Sequence, residues 1–364
     1  MNPAAGFHQP GMRAIMQRRR CCAYGRGLSA AFAALLVLSL TAAAFASGGH
    51  AAGHGDGGLE AANTGVSAEG EAAGAKIDLH AVYAWRRDAF DWNIAGNADG
   101  TDPTILSELS WRNLCIHELA LGLRIVGRSG FFFDGSLAYG VIYAGDNRDS
   151  DYASDGRRDE FSRSENSADA GEVWDVSLGL GYALQLAGGR FEAAPQMGFS
   201  FYCQQLTMTD GYQTVTWEEG PPLGAFEGLD STYDAQWSGP FAGLGIRWRP
   251  RTGRGGGVSV APYAAGYYHL ADYHAEADWN LREDYAHPKS FEHEADGHGI
   301  HWKIGVDVMF NPMLMLRIGY ARHRWQAKDG IDRVFLAAGG RSETRLNEVN
   351  WTSERFFGGI VAQF

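Results

Sequence analysis

Residues 355–364, Arg355-Phe356-Phe357-Gly358-Gly359-Ile360-Val361-Ala362-Gln363-Phe364, decide the fold. Phe356, Gly358, Ile360, Ala362 and Phe364 fall on one face at a spacing of two, and the stretch closes on an aromatic. A strand whose outward face meets lipid and whose last aromatic sits in an interfacial girdle reads this way. An edge strand of a soluble sheet reads the same, so the strands upstream must arbitrate.

From Ile77 onward the period stays at two. Ile77, Leu79, Ala81, Tyr83 and Trp85 alternate with Asp78, His80 and Arg86 in a first strand. A second, over 104–124, sets Leu109, Trp111, Leu119, Leu121 and Leu123 against Glu108, Ser110, Arg112 and Glu118. After the short turn 127–130, a third carries Phe131, Phe133, Leu137, Tyr139, Val141 and Tyr143 opposite Asp134 and Ser136. Further strands are expected at 173–186, 191–207, 232–248, 258–281, 301–310 and 314–325, with a last one at the end of the chain. Polar loops span 145–171 and 210–229, and a charged loop precedes residue 301. The tally is ten, with short and long connections alternating. An even strand count with short turns on one side and long polar loops on the other is the layout of an outer-membrane barrel. Strands past fifteen residues suit a crossing that needs about ten tilted residues, and a β-sandwich does not need them. The expected fold is therefore all-β, a ten-stranded antiparallel transmembrane β-barrel. Its lumen should be largely filled by side chains.

The rest of the composition agrees. Arg18 to Arg20 and Arg26, the apolar run Ala30 to Leu40 and Ala44-Phe45-Ala46 make residues 1–46 a secretory signal peptide. Residues 47–75 are Gly, Ala and acidic groups that cannot bury enough surface to order themselves, so a flexible periplasmic tail is expected there and the barrel over 76–364. The chain holds 31 basic and 43 acidic residues, and losing the five arginines of the signal peptide leaves about −17. Such a balance excludes nucleic acid as a partner and favours cationic ones. Cys115 and Cys203 fall on outward faces of non-neighbouring strands and are not expected to pair.

The candidate chemistry lies near the long loops. Asp149 and Asp151 share a face at a spacing of two. On the seventh strand the odd positions, among them Tyr263, Tyr267, Tyr273 and Trp279, are read as facing lipid. That sends Asp272, His274, Glu276, Asp278, Asn280 and Arg282 into the lumen. Paired carboxylates raise one another's pKa, and a histidine beside a carboxylate can act as a general base on water. Lumenal charges that neutralise one another, beside a solvated acidic loop, would give the same pattern. Four histidines within 287–301, among Glu292, Glu294 and Asp296, carry the spacing of a loop metal site, although solvated loop histidines do so too, and no cofactor is expected.

The chain resembles the omptin family of outer-membrane barrels. The likeness shows in Leu106-Ser107-Glu108-Leu109-Ser110-Trp111, in Asp149-Ser150-Asp151-Tyr152, in Glu172-Val173-Trp174-Asp175-Val176, and in Tyr233, Trp237, Pro240, Phe241, Gly243 and Leu244. It covers nearly all of 77–364 and implies a ten-stranded endopeptidase that cleaves near basic residues and can require lipopolysaccharide. Family members activate water between an Asp pair and an Asp-His pair. The first pair carries over onto Asp149 and Asp151. The second falls on Asn280 and Arg282, and neither can serve as a general base. Asp272-His274, or a histidine among His287, His293 and His298, would have to replace it. The resemblance also suggests that Lys303, Arg317, Arg322 and Arg324 meet lipopolysaccharide phosphates. Two functions stay open: an endopeptidase acting on cationic peptides, and a non-catalytic barrel, adhesin-like or a narrow porin, with a degenerate site.

Overall fold

The computed structural model describes residues 74–249 and 258–364, so the signal peptide, nearly all of the tail and the turn 250–257 lie outside the described residues. Ten strand positions form one ring. They are β1 (Lys76–Ile94), β2 (Ser107–Val126), β3 (Phe131–Ser154), β4 in two collinear pieces (Arg158–Ser167 and Gly171–Tyr182), β5 (Phe191–Val215), β6 (Asp230–Trp248), β7 (Ser259–Asp278), β8 (Phe291–Asn311), β9 (Leu314–Phe335) and β10 (Arg341–Gln363). Each pairs antiparallel with its neighbours, and β10 pairs with β1 from Asp78↔Gln363 upward, which closes the barrel. No lateral edge is left along the ring, as a sheet in hydrocarbon requires.

Several strands outrun their sequence boundaries. β3 continues to Ser154 and returns through Arg158–Ser167 where a loop was expected, and β8 begins at Phe291 and not at residue 301. The charged segment around Glu292, Glu294 and Asp296 is thus strand. Its polarity disguised it, because this part of the wall stands beyond the lipid belt and its outward side chains meet water.

The belt itself is plain. Trp85, Leu119, Phe131, Leu180, Met197, Leu244, Leu270, Ile304, Phe356, Ile360 and Phe364 all point outward and are exposed. Beyond this belt the polarity of the wall inverts. On β7 the outward residues run from Val260, Tyr268 and Leu270 to Asp272, His274 and Glu276. The inward residues change the other way, from charged groups near the short turns to buried rings near the long loops.

This inversion corrects one expectation about β7. Tyr263, Tyr267, Ala271, Tyr273, Ala275 and Ala277 face the interior, and Asp272 and His274 face outward. Both faces of the strand carry apolar stretches at different heights, so a period of two located the strand without saying which face was inside. A related correction applies to β2. Asn113 adopts a left-handed φ of 55° at a bulge, which shifts the register between Arg112 and Cys115. One extra residue exchanges the faces. Leu109 and Trp111 are therefore buried inside, although Leu119, of the same parity, is outside.

The interior has three levels. Near the short turns lies a polar cavity of about 220 Å³ lined by groups such as Asp78, Arg124, Glu192, Arg247 and Arg317. Above it the fully buried Arg86 binds Asp88 at 2.7 Å and both Glu118 and Asp175 at 2.9 Å. Asp88 also accepts from Trp351 Nε1 at 3.0 Å and Gln204 Nε2 at 3.1 Å. The third level is a packed plug of Phe90, Trp92, Trp111, Tyr202, Tyr233, Trp237, Tyr273, Phe291, Trp325 and Trp351. A filled lumen was the expectation for ten strands, and rings meet it. Cys115 and Cys203 form no disulfide.

Candidate functional site

Asp149 and Asp151 sit near the long-loop end of β3, paired in register with Leu109 and Ser107 of β2 and with Ser164 and Ser162 of β4. Sharing a face with the buried Leu109, they point inward above the plug. Burial pushes the Asp149 carboxyl well above its ordinary range, the charge of Asp151 adds to this, and Arg282 opposes it. Asp151 is also raised by burial, against hydrogen bonds from Ser107 and Ser162 and the pull of Arg282. One carboxyl oxygen of Asp149 is buried without a hydrogen-bond partner.

The groups facing this pair come from the turn after β7. Arg282 donates from Nε and Nη2 to the two oxygens of Asp284, each at 2.9 Å, and its guanidinium lies 4.1 Å over the Tyr285 ring. The Asp284 hydrogen bonds hold the guanidinium proton more firmly than usual and pull the Asp284 carboxyl down. Asn280 is a structural tie: its side-chain oxygen accepts from Asp230 N at 3.0 Å and Ser231 Oγ at 2.9 Å, and its Nδ2 donates to Gly228 O at 2.7 Å. At the positions where the resemblance would place an acid and a base, the chain thus has a loop clamp and a permanent cation.

The other candidates are dispersed. His274 faces outward, 3.6 Å from Glu276 and 3.9 Å from Glu294, and Asp272 is exposed on the same outer face. Hydrogen bonding to His274, then to Lys289, brings the Glu276 carboxyl down to about 2. His287 bonds Asp278 at 2.6 Å on that side, and His298 stacks outward on Tyr268. Among His274, His287, His293 and His298 only His293 turns inward, fully buried, with Nδ1 2.8 Å from the Tyr233 hydroxyl and Nε2 3.1 Å from Asp332, while His301 lines the inner cavity. Buried between Tyr233 and Asp332 it bridges strands, although Nε2, close to Asp332, makes no hydrogen bond. Asp332 went unnoticed in the sequence and Tyr233 was read only as part of the resemblance, since nothing in their spacing marks a contact formed across three strands.

His274, Glu276 and Glu292 bring donor atoms within 4.8 Å of one another, the one grouping of metal-ligand type among the described residues. The Lys289 ammonium bonds both Glu276 and Glu292, so a cationic side chain already serves these carboxylates. Of the four cations set against lipopolysaccharide, Arg322 and Arg324 face outward, whereas Lys303 and Arg317 line the inner cavity. That corrects the expectation for the latter two: polar residues of the spanning segment belong inside.

Comparison with known proteins agrees with the barrel. The family described as Protochlamydia outer membrane protein matches residues 81–364. No curated protein sequence matches the chain. Among solved structures, the outer membrane protease OmpT from Escherichia coli is 12% identical, with a TM-score of 0.61 over 80% of this chain and 97% of that one. The translocator domain of the autotransporter NalP from Neisseria meningitidis is 9% identical over 81% of this chain and 90% of its own, with a TM-score of 0.32. OprG from Pseudomonas aeruginosa is 11% identical over 79% and 96%, with a TM-score of 0.28. At these identities the likeness to OmpT is one of fold alone.

Proposed function

Because the chain belongs to the Protochlamydia outer membrane protein family, we propose that it is a non-catalytic barrel of the bacterial outer membrane, with its long loops on the cell surface, that binds cationic peptides reversibly at its rim. The observation that carries this reading is Arg282. A guanidinium clamped by Asp284 stands where a general base would have to face Asp149 and Asp151, and an arginine cannot accept the proton of an attacking water. The acidic balance of the chain supports attraction of cationic ligands. The aromatic plug argues against a pore, and the outward facing of Arg322 and Arg324 supports contact with lipopolysaccharide phosphates.

One observation favours a second reading. Asp149 and Asp151 are two half-buried carboxyls with raised proton affinity, and one Asp149 oxygen is unpartnered, so the pair can share a proton and polarise a water without a histidine. The deciding experiment incubates the refolded protein with a dibasic peptide from pH 4 to 8, with and without lipopolysaccharide. We expect salt-sensitive binding and no cleavage. Cleavage on the acid side that disappears in Asp149→Ala would replace the first reading with the second. Stepwise conductance in planar bilayers would overturn the closed interior.

A further inference from the structure

The cavity below the Arg86 network plays no part in the rim chemistry, and its register explains why the space exists. At one level of the wall Ala194 pairs with Gly245, Gly245 with Ala265, Ala265 with Lys303, Lys303 with Ala321, and Ala321 with Arg355. Four of these six positions carry at most a methyl group, so the lumen stays open where Lys303 and Arg355 reach inward.

Most charges lining the space are satisfied within the wall. Arg355 binds Glu118 and Asp175, Arg317 and Arg247 share Asp307, Arg124 binds Glu192, and Asp78 accepts from Gln363. Two are not. Among the described residues neither the Lys303 nor the Asp134 side chain has an ion pair or hydrogen bond, and the Lys303 ammonium lies 5.7 Å over the Tyr267 ring. Lys303 is on β8 and Asp134 on β3, five places apart in a ring of ten, so they stand on opposite walls of the same cavity. Three more lining residues present buried polar atoms without partners: the Tyr263 hydroxyl, His269 Nε2, and both ring nitrogens of His323.

We propose that this cavity binds a small zwitterion of the α-amino-acid type, its carboxylate toward Lys303 and its ammonium toward Asp134. A simple anion would leave Asp134 unpaired and repelled, and a simple cation would do the same to Lys303. One dipolar ligand satisfies both walls at once.

The test is calorimetric titration of the refolded full chain in detergent micelles with L-alanine, sodium acetate and methylammonium chloride at equal ionic strength. Alanine should saturate a single site at least about tenfold more tightly than either half-ligand, and Lys303→Met and Asp134→Asn should each weaken it by about tenfold or more. Acetate binding as tight as alanine would make this a plain anion pocket and overturn the proposal. Saturation by none of the three, the behaviour of a cavity filled by water alone, would overturn it as well. Should either variant fail to refold, the ranking of the three ligands on the unaltered chain decides by itself.

Discussion

Asp149 is a carboxyl group placed where its charge is resisted, by burial first and by Asp151 second. A native carboxyl with raised proton affinity contributes stability that is fully present below its ordinary value of 3.8 and is lost as pH rises through the higher folded value. The rim should therefore loosen as pH climbs from about 4 toward 7, read as faster tryptic nicking of the long loops. Asp149→Asn should flatten that slope and slow nicking at pH 7; an unchanged slope would mean that other groups set it. Arg282→Gln removes the charge that offsets both carboxyls and should steepen the slope over the same range. At this scale the sequence was half informative. Asp149 and Asp151 could be found because two acids at a spacing of two must share a strand face. The facing of Asp272 and His274 could not, because tyrosines and alanines suit lipid and a packed interior equally well.

Among the strands, the bulge at Asn113 carries the most information per residue. It lets β2 place Leu119 in the lipid belt and Trp111 in the plug, and the Asn113 side chain binds Arg87 and Asp146 across the neighbouring strands. A β-branched residue resists the left-handed φ of 55°, so Asn113→Val should cost about 1–2 kcal/mol in urea unfolding. Asn113→Gly keeps the backbone and should cost less; equal losses would assign the effect to the side-chain hydrogen bonds. Strand number, order and alternation were legible because each wall residue meets one of two media. The strand ends were not, since beyond the lipid both sides of the wall change character and the outward face of β8 reads as a charged loop.

For the molecule as a whole, one ring of strands holds two interiors, charged below and aromatic above, with Arg86 between them. Breaking a buried ion network by removing one partner typically costs about 3–5 kcal/mol, and Arg86→Met should lower unfolding stability by that order, because it leaves Asp88, Glu118 and Asp175 without their shared cation. A loss under about 1 kcal/mol would show that Arg355 alone can neutralise them. Truncating a buried ring such as Trp237→Ala should cost a similar amount through the void it leaves. The aromatic plug also has an optical consequence. The indoles of Trp325 and Trp351 stack 5.8 Å apart at 15°, and Trp237 lies 5.7 Å from Trp325, close enough for their excited states to couple and give an exciton band in circular dichroism. Trp85 and Trp302 stand on the outer surface against lipid. Brominated acyl chains should thus quench the emission of those two and leave the coupled trio glowing, so that one cuvette reports membrane insertion and interior assembly as separate signals.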